Sequence, residues 1–121
     1  TQPEISPLRI ACFENGELDQ AMRLGLTPMA WSPLGGGRLL NAESERDQQV
    51  AAALDAVADA QGVSRAVAAY SWLMAHPAGI VPIIGSQSAK RIAEGAEALD
   101  VRWTRQDWYA VLVAARGEDL P

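Results

Sequence analysis

Residues 80–92, IVPIIGSQSAKRI, place a short apolar run directly before a glycine-serine turn and two cations. The run Ile80–Ile84 has the length and composition of a parallel strand that is covered on both faces, although Pro82 removes one backbone donor from a regular sheet. Ser88 can cap a helix that follows. Three apolar residues share one face of that helix: Ile92, Ala96 and Leu99. This stretch therefore predicts a strand that leads into a helix.

The same order occurs twice upstream. Thr27–Trp31 is a brief strand candidate, and the breaker-rich segment 32–38, SPLGGGR, follows it. Gln2–Ile5 predicts the end of an earlier strand, since Pro3 and Pro7 both oppose a helix there. We expect these three strands to be parallel neighbours with the helices on one side.

Helical periodicity predicts four further helices, bounded by residues 18 and 25, 50 and 62, 64 and 77, and 104 and 117. Gly25, Gly62 and Gly117 supply helix stops, and Ser64 and Thr104 supply N-caps. The polar stretch 41–49 has no apolar period and predicts a loop.

The predicted elements follow in the order strand, helix, strand, helix, helix, strand, helix, helix. This alternation is typical of parallel βα units, so the predicted fold class is α/β. Three strands are too few for a closed barrel, which needs about 250 residues when it has eight strands. Residues 1–121 therefore predict one partial TIM-barrel domain. We expect a piece of a longer protein, because the chain opens Thr-Gln-Pro-Glu-Ile-Ser with no methionine and no signal pattern.

Composition excludes several classes of function. With 15 Asp and Glu against 10 Lys and Arg, the net charge is −5 and no basic stripe exists for nucleic acid. Cys12 is the one cysteine and His76 the one histidine, which excludes an internal disulfide and a Cys or His metal cluster. No apolar run approaches the ~20 residues of a membrane span. We interpret His76 as a helix-end charge or a surface residue, and Trp103 and Trp108 as packing residues.

Two strand-to-helix junctions could carry chemistry, because ligands of parallel α/β folds bind beyond the carboxyl ends of the strands. Residues 85–91 combine hydroxyls, the first N–H groups of a helix and the cations Lys90 and Arg91, which suits an anion; the alternative is a capped helix with two solvated cations. In residues 31–38 the glycines allow close approach of backbone N–H groups to phosphate, and Arg38 adds charge; the alternative is a flexible connector. Together the junctions fit a dinucleotide. Trp31 could stack on a flat ring or pack at the barrel rim.

Three motifs resemble the C-terminal part of the aldo-keto reductases, NADPH-dependent (β/α)8-barrel enzymes: QPEISP at 2–7, AWSPLGGGRL at 30–39 and IIGSQSAKRI at 83–92. The resemblance covers essentially the whole chain. It implies that the segment contains barrel strands 6–8 and their helices.

The resemblance also implies ten cofactor-binding residues. Gln2 would bond the nicotinamide carboxamide, and Trp31 would stack on the nicotinamide ring, where many relatives have Tyr. Four residues would line the pyrophosphate: Ser32, Leu34, Gly36 and Arg38. Four would hold the adenosine side, namely Ser86, Gln87 and Arg91 at the 2′-phosphate and Glu94 at the adenine.

The chain departs from the family pattern in three places. Thr1 stands where many relatives have Asn, and Gly95 replaces a frequent Asn that contacts the adenine. Gly85 and Ser86 begin the phosphate loop where many relatives have Lys or Thr, so a preference for NADPH over NADH rests mainly on Arg91, with Lys90 as a second candidate.

The family's catalytic Asp, Tyr, Lys and His lie on barrel strands 2–4, which this segment does not include, so it contains no catalytic residue. The resemblance implies a cytoplasmic oxidoreductase that reduces an aldehyde or ketone with NADPH, while this chain alone is inactive and self-associates through open sheet edges. Two alternatives are a non-catalytic reductase-like binding or assembly module and a fragment without any activity.

Overall fold

The computed structural model describes residues 6–7, 10, 17–25, 29–30, 38–77, 79–82 and 89–117. Within these ranges the elements follow in the order α1 Glu17–Arg23, β1 Met29–Ala30, α2 Glu45–Gln61, α3 Arg65–Met74, β2 Val81–Pro82, α4 Ala89–Glu97, a 3-10 turn at Ala98–Asp100, and α5 Arg105–Arg116. The described part is mostly helical.

The two strands pair in parallel, with Met29 opposite Val81 and Ala30 opposite Pro82. This confirms the predicted direction of pairing between the second and third strand candidates. Pro82 belongs to the strand even though it lacks a backbone donor. Gln2–Ile5 and, of the other two predicted strands, residues 27, 28, 31, 83 and 84 lie outside the described ranges, while Ile80 is described and lies just before β2.

Helix α2 begins earlier than its apolar pattern predicts. Ser44 is its N-cap, and the Ser44 Oγ accepts a hydrogen bond from the Asp47 backbone N–H at 3.1 Å. Acidic residues in the first turn suit the positive end of the helix dipole. The predicted loop at 41–49 is therefore wrong from residue 45 onward, because capping and charge, not apolar periodicity, start this helix.

Helix α3 lies at the centre of the described structure, and each residue from Ala66 to Leu73 is buried. Helices α2 and α5 contact each other, while α3 contacts α2, β2, α4 and the 3-10 turn. This helix therefore packs on more than one side. Its N-cap is Ser64, as predicted, and Gly62 ends α2 with φ 71°.

Two tryptophans join α3 to α5. The rings of Trp72 and Trp108 stack with centroids 4.8 Å apart and planes 13° from parallel. Each indole N–H donates to the backbone carbonyl of the other residue, at 3.0 Å from Trp72 and 2.8 Å from Trp108. Trp103 donates to the Ser71 Oγ at 2.8 Å. Both Trp103 and Trp108 are packing residues, as predicted.

The apolar face predicted for the helix after β2 points to solvent in the described structure. Ile92 is 58% exposed and Leu99, which lies in the 3-10 turn, is 72% exposed. The residues that this region buries are Glu94 and Ala98. Among the described residues, no helix is long and apolar enough to cross a bilayer.

Candidate functional site

The parallel pairing of β1 and β2 puts the carboxyl ends of both strands at one edge. Parallel strands end at the same edge of a sheet, so the chain leaves both Ala30 and Pro82 on that side. Residues 31–37 and 83–88, which follow these strands, lie outside the described ranges. Seven predicted cofactor residues are therefore not described: Gln2, Trp31, Ser32, Leu34, Gly36, Ser86 and Gln87. The structure does describe Arg38, Glu94 and the backbone of Arg91.

Arg38 forms a two-pronged ion pair with Asp47. Its Nε donates to Asp47 Oδ2 at 3.0 Å and its Nη2 donates to Oδ1 at 2.8 Å. The Arg38 side chain is 56% exposed, whereas the Asp47 side chain is 5% exposed. The last residue of the predicted pyrophosphate segment is thus a cation at the surface that is paired with a buried carboxylate.

Glu94 is buried, with 6% of its surface exposed. Its Oε2 accepts a hydrogen bond of 2.7 Å from the hydroxyl of Ser64. The same Ser64 oxygen accepts from the Val67 backbone N–H at 3.2 Å and so caps α3. Ser64 therefore joins the start of α3 to the middle of α4. The predicted contact of Glu94 with adenine stays a prediction.

Helix α4 begins at Ala89, so Lys90 and Arg91 belong to its first turn. Lys90 is exposed. The first turn of a helix carries N–H groups without partners inside the helix and the positive end of its dipole. Lys90 and Arg91, the two cations of the predicted anion site, therefore belong to a helix start, while residues 85–88 of that site lie outside the described ranges.

His76 belongs to neither of the two predicted junctions. It follows α3 and precedes β2, and its ring lies 5.9 Å from that of Trp108. It lines a cavity of about 440 Å³ together with Trp103, Arg105 and Tyr109. Burial lowers the pKa of His76, and the charge of Asp19 opposes part of that effect. In the described ranges, no group of three or more His, Cys, Asp or Glu could hold a metal.

Sequence reasoning missed two residues that hold predicted site residues. Asp47 stood inside the predicted loop, although the spacing Ser44-x-x-Asp47 is a capping pattern that could have indicated a helix start there. Ser64 was predicted as an N-cap but not as the partner of Glu94, 30 positions away. No local pattern signals a contact across that distance.

The model of the Aldo/keto reductase family matches residues 1–113. A 6-dehydroglucose reductase from Novosphingobium aromaticivorans is 85% identical over 121 residues, which are 100% of this chain and 40% of that protein. A 6-dehydroglucose reductase from Agrobacterium fabrum is 39% identical over 119 residues, 98% of this chain and 39% of the relative.

A crystal structure of a thermostable aldo-keto reductase in complex with the inhibitor epalrestat matches with a TM-score of 0.78 and 19% identity. The match covers 93% of this chain and 38% of that one. At this identity the likeness concerns the fold, and it fits a segment of an aldo-keto reductase. The chain spans 40% of the length of the Novosphingobium relative. The family match over nearly all of its residues shows that the chain belongs to the aldo/keto reductase family.

Proposed function

We propose that this chain is the cofactor-binding C-terminal portion, strands 6–8, of a reductase that uses NADPH. The observation that carries the proposal is the parallel pairing of β1 and β2, with one predicted phosphate-binding segment after each strand. The exposed Arg38 guanidinium and the first turn of α4 supply the cationic and N–H donor groups that a dinucleotide needs. These residues fit the cofactor.

The substrate of the intact reductase is a sugar that carries a carbonyl group, with 6-dehydroglucose as the leading candidate. The support is the name of the relative that is 85% identical. A glucose that is oxidised at carbon 6 is an aldehyde, and its reduction adds a hydride to the carbonyl carbon and a proton to the oxygen. NADPH supplies the hydride, and the proton comes from the part of the reductase outside this segment.

Two arginines of this chain hold two phosphate groups of the cofactor. Arg38 binds the pyrophosphate, and Arg91, in the first turn of α4, binds the 2′-phosphate, which carries nearly two negative charges. A planar guanidinium can bond that group through two parallel hydrogen bonds, which a lysine cannot match. Arg91 is therefore the residue that selects NADPH over NADH.

The test uses a chimeric reductase in which this chain replaces the matching 121 residues of the Novosphingobium relative. Arg91→Ala removes a charge-assisted pair, so we expect the Kd for NADPH to rise about 10- to 150-fold, which corresponds to roughly 1.5–3 kcal/mol. The Kd for NADH, which has a hydroxyl at that position, should change little. Titration with quenching of tryptophan fluorescence measures both constants.

Lys90→Ala is the matched control, because Lys90 is exposed in the same helical turn and its charge is screened by solvent. It should weaken NADPH less than Arg91→Ala does. Equal weakening of both cofactors by Arg91→Ala would show that Arg91 has a general structural role. A chimeric reductase that binds neither cofactor would refute the proposed function itself.

A further inference from the structure

We propose that Asp47 is a positioning residue for cofactor binding, which acts by holding the Arg38 guanidinium with its remaining N–H donors turned toward the cofactor pyrophosphate. This inference rests on the proposed function, in which Arg38 binds that group. Asp47 itself does not touch the cofactor. Its contribution is the orientation of another residue's side chain.

The geometry fixes which donors remain. Asp47 engages Nε at 3.0 Å and Nη2 at 2.8 Å, so one side of the guanidinium fork faces the carboxylate. Arginine has five N–H donors in a rigid plane, and the two bonds to Asp47 use two of them. The other three lie on the parts of the same plane that do not face Asp47, and the Arg38 side chain as a whole is 56% exposed.

Asp47 is the fixed member of the pair. Its side chain is 5% exposed, and its backbone N–H bonds the Ser44 Oγ at 3.1 Å in the first turn of α2. A carboxylate this deeply buried needs a charged partner, since an unpaired buried charge is costly. The carboxylate is therefore anchored by the helix, and the longer Arg38 side chain takes its orientation from it.

The two bonds to Asp47 order the Arg38 side chain before the cofactor binds. The carboxylate has a second cation nearby, because the Arg46 guanidinium lies 3.9 Å from Asp47 Oδ1. An already ordered side chain loses less rotamer freedom on binding.

Helix α2 offers a matched control in a second ion pair, which Asp55 forms. Asp55 binds Arg65 in the same two-pronged way, at 2.9 Å from Nε and 2.7 Å from Nη2. Arg65 Nη1 also donates to the Leu39 carbonyl oxygen at 2.8 Å. The Arg65 guanidinium therefore binds a backbone group of the protein as well as the Asp55 carboxylate. Removal of Asp55 should therefore affect packing and leave the cofactor site alone.

The experiment is a double-mutant cycle in the chimeric reductase with Asp47→Ala, Arg38→Ala and both together. Positioning predicts that Asp47→Ala raises the Kd for NADPH about 2- to 10-fold, the loss expected when one long side chain must be ordered on binding. In the Arg38→Ala background the same change should have no further effect. Asp55→Ala should leave the Kd within about twofold while it lowers the urea midpoint.

The opposite direction of change has a clear meaning. If Asp47 only neutralised Arg38, its removal would raise the local positive charge and tighten NADPH binding, and that result would overturn the inference. Weakening that persists without Arg38 would overturn it as well, because Asp47 would then act on the fold. Asp47→Asn, which keeps the shape and one acceptor, should fall between wild type and Asp47→Ala and serves if the alanine variant does not fold.

The two proposals fail in different ways. A chimeric reductase that binds NADPH normally but is insensitive to Asp47→Ala would refute the positioning role alone. If Arg38→Ala leaves the NADPH Kd unchanged, the pyrophosphate role of Arg38 is wrong, and the role of Asp47 falls with it. Loss of all cofactor binding by the unmutated chimeric reductase refutes the proposed function.

Discussion

His76 shows how the surroundings of a single residue change its chemistry. Beside the Trp108 ring, burial lowers the pKa of His76 below its ordinary value of 6.5, against the smaller opposing effect of Asp19. The neutral imidazole is therefore favoured in the folded protein. The sequence places this histidine at a helix end but gives no sign of the tryptophan, which comes from another helix.

This lowered pKa makes stability depend on pH. Between the folded pKa and about 6.5, the unfolded chain binds more protons at His76 than the folded chain does. The free energy of unfolding therefore rises with pH across that window, and the contribution of His76 is lost as the pH falls through it. We expect His76→Gln in the chimeric reductase to flatten the fall of the urea midpoint as the pH drops below about 6.5. An unchanged slope would assign the dependence to other groups.

At the scale of the element, three helices start in the same way. Ser44, Ser64 and Thr104 each accept a hydrogen bond from the backbone N–H three residues later, at 3.1, 3.2 and 3.1 Å. Ser64 differs from the others because its hydroxyl also donates to the buried Glu94. One hydroxyl thus both starts α3 and holds α4 against it.

This double role predicts unequal costs for two similar substitutions. Ser44→Ala in the chimeric reductase removes a cap and should lower the free energy of unfolding by about 1 kcal/mol. Ser64→Ala also removes a hydrogen bond to a charged group, so we expect a loss of about 2–3 kcal/mol. Ser64→Thr keeps the hydroxyl and should recover most of it. Urea unfolding measures all three, and equal losses for the two alanine variants would mean that the Ser64–Glu94 bond adds nothing.

At the scale of the whole molecule, large apolar side chains are exposed in the described ranges. Ile92 and Leu99 stand out around α4, and the two paired strands expose Met29 at 38% and Val81 at 45%. Exposed apolar groups and open strand edges both favour association.

We therefore expect the isolated 121-residue chain to form oligomers in light scattering, and the combined change Ile92→Gln and Leu99→Gln to shift it toward smaller species. Ala93→Gln, at an exposed position of the same helix that carries no large apolar group, is the matched control and should have little effect. A stable monomer of high thermal stability would contradict this prediction.

The sequence by itself determined the features that act over a few residues. Ser64 and Thr104 start helices, and Gly62 and Gly117 end them with φ 71° and 78°. Met29, Ala30 and Val81 of the strand candidates lie where β1 and β2 pair. Helix caps, helix stops and apolar periodicity depend on neighbours within one or two turns, so a short stretch of consecutive residues is enough to predict them. The family motifs are equally local, which is why the resemblance was visible without a structure.

Only the tertiary structure decided which distant groups meet. Ser64 and Glu94 are 30 positions apart and Trp72 and Trp108 are 36 apart, and packing alone brings each pair together. The sequence pattern places Asp47 in a predicted loop. In the structure α2 starts at Glu45, and the Asp47 carboxylate in its first turn contacts Arg38. The physical reason is that a side chain's partner is set by how helices and strands stack, and many stackings share the same local pattern.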